Sequence, residues 1–136
     1  IRSLRTSARS AANQAGRGLV MDSHIVFKTG QLPEVKRVIV LRCNPIALER
    51  RLRRKHWSRR KIGENVLAEI LDICLWDAVH SYGWRKISEI DTTNKRPSEA
   101  VDLAMRSMKS KRIQRRPRVQ WLANLRRLGM PADYIV

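Results

Sequence analysis

An α/β fold built on a parallel sheet is what this sequence of 136 residues predicts. Three observations predict it. Short uninterrupted apolar runs read as strands buried on both faces, the pattern of parallel sheets. Longer segments with apolar residues at helical spacing separate them. The predicted strands also run directly into polar loops, in the order strand, strand, helix, helix, strand, helix. A chain of this length supports one domain with a real core.

Residues 1–15, IRSLRTSARSAANQA, are rich in Arg, Ser and Ala and lack acids. That composition suits either a mitochondrial transit segment or the end of an exposed helix whose beginning is absent. The chain starts at Ile1 rather than Met, so an upstream part is expected to be missing or removed. Gly16 and Gly18 break any helix, and Gly18 to Asp22 then reads as a short strand running into Ser23 and His24. A carboxylate at the end of such a strand lies where α/β folds bind phosphates, and it can hold magnesium through water. Equally, Asp22 and Ser23 can end a strand by turn chemistry alone. Gly30 and Pro33 make residues 25–36 a connection, and the next strand is expected as the parallel neighbour of the first.

Val38 to Leu41 is that next strand. Asn44 and Pro45 then supply an N-cap and a first-turn proline. The short helix they start carries Ile46, Leu48 and Leu52 on its apolar side. It runs into a cationic block: eight of the twelve residues from Arg50 to Lys61 are Lys or Arg, and none is acidic. A second helix opens at about Ile62, with apolar doublets from Val66-Leu67 to Ala78-Val79 in a single stripe, and Gly83 ends it. Ile87 to Ile90 forms the third strand and ends in Asp91-Thr92-Thr93-Asn94. Arg96-Pro97 starts a last helix whose buried face is expected at Val101, Ala104, Met105 and Met108. From Lys109 the chain becomes a basic tail. A short docking helix follows at Val119, Leu122, Leu125 and Leu128, stopped by Gly129 and Pro131.

The formal charge of +17 calls for a polyanionic partner or an anionic surface. It sits in blocks. Residues 62–105 hold eight acids and four bases, so this core fragment is itself slightly acidic. Blocks of cations, rather than a uniformly basic surface, can follow a phosphate backbone. No apolar run approaches the roughly 18 residues needed to cross a bilayer. Cys43 and Cys74, the only cysteines, make neither a disulfide framework nor a four-ligand metal site, and read as small buried hydrophobes in a reducing compartment.

Four runs in order, VMDSH, VIVLRCNPIALERRL, KIGENVLAEILD and EIDTT, resemble the adenylate-kinase-related proteins of archaea and eukaryotes, the nuclear adenylate kinase isoenzyme or coilin-interacting nuclear ATPase type. The likeness covers roughly residues 16–108. It implies part of a P-loop nucleoside monophosphate kinase fold over residues 1–108, with a lid at about 53–61 and a basic helical tail at 109–136. It implies phosphoryl transfer between ATP and AMP alongside ATP hydrolysis, and work in the maturation of the small ribosomal subunit. Asp22 and His24 match the family's magnesium-associated Asp-x-His motif. Lys55 to Lys61 matches the lid, with Arg53 and Arg54 just before it and Arg59, Arg60 and Lys61 within it as phosphate contacts. Asp91, Thr92 and Thr93 fall where the adenine ring is expected.

The departures are as informative. No G-x-x-x-x-G-K-[ST] occurs in the 136 residues, and phosphoryl transfer needs the N–H cradle and Lys of that loop. Lys55 stands where the family usually has Arg, and Lys lacks the bidentate phosphate fork. The expected function is therefore an adenylate-kinase-like protein associated with the ribosome or its assembly. Its RNA contacts are Arg50, Arg51, Arg53, Arg54, Lys109, Lys111, Arg112, Arg115, Arg116 and Arg118, and its partners are ribosomal RNA and small-subunit ribosomal proteins. Trp57 and Trp121, beside the cations, either stack on unpaired bases or pack against the domain. The alternative is the C-terminal part of an active adenylate kinase, using ATP and magnesium, whose phosphate loop lies upstream. The expected compartment is the cytoplasm, or the nucleus or mitochondrion in a eukaryote.

Overall fold

The computed structural model describes residues 19–22 and 35–124. The chain divides into two compact units, residues 1–35 and 36–136. In the first unit, residues 19–22 are irregular and exposed, so the strand expected at Gly18 to Asp22 is not formed over these residues. A strand exists only where its N–H and C=O groups find a ladder partner. The ladder in the described residues joins two other segments.

Those segments are β1 (Val38–Arg42) and β2 (Ile87–Asp91). They pair in parallel, with Val40 opposite Glu89 and Arg42 opposite Asp91. Among the described residues, the parallel neighbour of β1 is the strand after the helices. Between them run α1 (Pro45–Arg54), α2 (Arg59–Ile70), α3 (Ile73–Tyr82) and one 3-10 turn (Trp84–Lys86); α4 (Pro97–Lys109) follows β2. Asn44 caps α1: its side-chain oxygen accepts from the amides of Ile46 at 3.0 Å and Ala47 at 3.3 Å. Ser58 caps α2 by accepting from Lys61 N at 3.3 Å.

The single helix expected from Ile62 to Gly83 is two helices. Asp72 breaks it with a left-handed backbone, φ 56°, a conformation open to Asp because its short polar side chain bonds locally. The break redirects the apolar stripe. Ile62, Val66 and Ile70 of α2 pack on Leu52 of α1, with Leu48 and Trp57 against them. Leu75 and Ala78 of α3, both fully buried, belong to the layer packed on the sheet, as does Ile87 of β2. A continuous helix would have kept one stripe and served only one of these surfaces. The doublet partners Leu67, Leu71 and Cys74 consequently face solvent, so of the two thiols only Cys43 is buried.

α4 departs further from expectation. None of its residues is buried, and Val101, Met105 and Met108 are exposed, Val101 at 59%. The expected stripe exists as a pattern, but the described residues pack on it only lightly. No helix among the described residues is long and apolar enough to cross a membrane.

Candidate functional site: strand ends, basic hinge and strap

The carboxyl ends of both strands are tied to one loop. Thr92 donates from its amide and from its hydroxyl to the Arg42 carbonyl, each at 2.8 Å. Asn44 N donates to Thr93 Oγ1 at 2.9 Å, and Thr93 N donates to Asp91 Oδ1 at 2.9 Å. The Thr93 hydroxyl also donates to that carboxylate oxygen. From α1, the Arg51 guanidinium donates to the carbonyls of Thr92 at 2.7 Å and Thr93 at 2.6 Å. Ligands of open α/β sheets bind beyond the carboxyl ends of the strands, and here Asp91, Thr92 and Thr93 form a braced shelf in that position. An open cleft of about 330 Å³ lies beside it, lined by Asn94, Lys95, Glu99, Asp102, Leu103 and Arg106.

The expected RNA and lid cations do different jobs. Arg51 is committed to the loop. Arg53 pairs with Glu49 at 2.6 Å and Arg60 with Glu64 at 3.1 Å, both one helical turn apart and exposed. Lys61 Nζ lies 4.2 Å over the Trp57 ring. Arg50, Arg54, Lys55 and Arg59 are exposed and have no ion pair among the described residues. These cations, from Arg50 to Lys61, make up the hinge between α1 and α2, which turns at His56, left-handed at φ 55°. Trp57 is half-buried and packs against the helical core.

The residue that sequence reasoning missed is Arg42. It is 1% exposed at the end of β1 and faces three carboxylates. Its Nε donates to Glu69 at 2.9 Å, its Nη1 to Glu89 at 2.6 Å and its Nη2 to Asp72. One buried cation thus joins β1, β2, α2 and the break before α3. Burial raises the carboxyl pKa of Glu69 and of Asp72 above the usual range, even though Arg42 pulls both down. A signal existed: VIVLR ends an otherwise apolar run in a cation, and Glu69 and Glu89 interrupt apolar stretches.

Over residues 110–121 the basic tail lies as a strap on the core. Arg37 donates to the Ser110 carbonyl. Gln114, 4% exposed, accepts from Glu89 N at 3.1 Å and donates to the Glu89 carboxylate and, at 3.0 Å, to the Arg116 carbonyl. Arg118 N donates to Glu89 at 2.6 Å, and Trp121 Nε1 donates to Glu69 at 2.7 Å. Of the docking helix, residues 122–124 form a single 3-10 turn, and Leu125 and Leu128 lie outside the described residues.

Asp22 is exposed on its irregular segment, and His24 lies outside the described residues. No group of three His, Cys, Asp or Glu side chains among the described residues is placed to hold a metal ion.

The described chain is α/β, a two-stranded parallel sheet with helices, and is consistent with part of an adenylate-kinase-like fold. By sequence the chain is a homologue of archaeal adenylate-kinase-related proteins. It is 39% identical over 94 residues to "Putative adenylate kinase" of Pyrococcus abyssi, covering 69% of this chain and 49% of that protein. The protein of the same name in Methanocaldococcus jannaschii is 37% identical over 103 residues, 76% of this chain and 52% of its own length. That of Pyrobaculum aerophilum is 40% identical over 86 residues, 63% and 42%. The chain therefore spans about half the length of the curated relatives it matches. No family model matches it.

Proposed function

We propose that this chain is the nucleotide-closing part of an adenylate-kinase-like protein that handles ATP and AMP. The observation that carries the reading is the braced loop Asp91–Thr93 at the strand ends, in a chain homologous to proteins bearing that name. In it the loop supports the purine, and the exposed hinge cations Arg54, Lys55 and Arg59 close over phosphates. ATP and magnesium would be used only where a phosphate-binding loop joins these residues, since the 136 residues contain none. The chain by itself is accordingly inactive, because positioning and electrostatics are nearly all a protein contributes to phosphoryl transfer. The test is ADP titration followed by amide NMR. Shifts confined to the hinge and residues 91–95, with a dissociation constant weaker than about 1 mM, are expected. Absence of shifts there at any attainable concentration refutes the shelf as a nucleotide site. Conversion of ATP plus AMP by this chain alone, lost in Asp22→Asn, refutes the predicted inactivity.

A second reading rests on a separate observation: four hinge cations, Arg50, Arg54, Lys55 and Arg59, are exposed without ion pairs among the described residues, and the strap adds more. In this reading the protein contacts ribosomal RNA beside small-subunit ribosomal proteins. With roughly six to ten phosphate contacts, log affinity should fall with log salt at a slope of about −4 to −9. A slope near zero sinks it.

A further inference from the structure

We infer that residues 110–121 are a locked phosphate-binding ridge, in which buried Gln114 and half-buried Trp121 fasten the strap to Glu89 and Glu69 and thereby present its cations to an RNA backbone. The inference deepens the second reading above and rests on it. Lys111, Arg112, Arg115, Arg116 and Arg118 are all exposed, and only Gln114 among these residues is buried. The fastening spends no cationic side chain of the strap. Glu89 is held by Arg42 from β1, by the Gln114 amide and by the Arg118 backbone N–H. The strap arginines are therefore not neutralised by the core acids, and the backbone that carries them is fastened beside Gln114 and at Arg118.

The geometry has a second consequence. Glu89 N points away from β1 and would be an open sheet-edge donor. The Gln114 side chain accepts from it as a neighbouring strand would, so the strap also closes that edge. Holding the backbone before the ligand arrives removes part of the ordering cost that a loose basic tail pays on binding. Four of the five cations are arginines, whose planar fork matches a phosphate. The strap is irregular rather than an amphipathic helix, so it lacks the form that lies in a membrane interface.

The experiment uses the full chain and a fluorescein-labelled RNA hairpin with a single-stranded loop, titrated over a range of salt. The variant Arg112→Gln/Arg115→Gln/Arg116→Gln/Arg118→Gln removes charge and leaves Gln114 in place; its log–log slope should shrink by about 3. Gln114→Ala keeps every cation and loosens the strap. Its affinity should fall about tenfold with little change in slope, while hydrogen exchange at Glu89 N quickens. Arg54→Gln/Arg59→Gln separates the two levels. If only this hinge variant loses slope, RNA binding stands and the ridge is refuted. If no variant changes slope or affinity, both fail. Unchanged affinity in Gln114→Ala with Glu89 N exposed refutes the locking. Tighter binding to anionic phospholipid vesicles than to the hairpin at equal salt refutes the nucleic-acid assignment.

Discussion

Replacing Arg42 by Met tests the centre of the structure. Met fills much of the same volume but leaves Glu69, Asp72 and Glu89 without their cation, the last with a fully buried side chain. Removing one partner of a buried ion pair costs about 3–5 kcal/mol, because the remaining charge is buried and uncompensated. A domain of this size has only about 5–15 kcal/mol in total. With a urea m-value of about 1.2 kcal/mol/M, the unfolding midpoint should drop by roughly 2.5–4 M. Urea denaturation followed by far-UV circular dichroism measures this directly. The triple variant Arg42→Met/Glu69→Gln/Glu89→Gln removes charge from both sides and should recover most of the loss, since a neutral, well-filled site is often no less stable than a buried ion cluster. A loss below about 1 kcal/mol in the single variant would refute the account of Arg42 as the charge on which three elements depend.

Other consequences are smaller and independent. Asn44→Ala removes the α1 cap that serves Ile46 and Ala47 and should cost about 1 kcal/mol by thermal or urea unfolding. Glu69 and Asp72 hold their protons to higher pH when folded than when unfolded. Their contribution is thus fully present below the ordinary carboxylate values and is lost as pH rises through the raised folded ones. Melting temperatures of wild type and Glu69→Gln, compared from about pH 4.5 to neutral, should show wild type losing ground to the variant as pH rises; the opposite trend would contradict the burial of Glu69. Arg51→Met releases the carbonyls of Thr92 and Thr93, so amide exchange at Lys95, which donates to Thr92 O, should accelerate while the α1 amides stay protected.

Local chemistry made much of this protein readable in advance. The apolar run closed by Asn44-Pro45 predicted β1 and α1 nearly to the residue, Arg96-Pro97 marked the start of α4, and the run at Ile87 marked β2. These are signals carried by neighbours in sequence: caps, prolines and uninterrupted apolar stretches. The resemblance to adenylate-kinase-related proteins is likewise met by curated homologues that bear the name putative adenylate kinase. What only the tertiary structure decided involves partners far apart in the chain. Asp72 breaks a helical pattern in which each residue favours continuation, and it meets Arg42, thirty positions earlier. The strap depends on Gln114 reaching Glu89, twenty-five positions away. Val101, Met105 and Met108 have the spacing of a buried face, yet periodicity states only which residues share a side of a helix, not what covers that side. The cations of the hinge are indistinguishable in sequence; whether each is braced, paired or free depends on the carboxylate or carbonyl that folding places within about 3 Å of it.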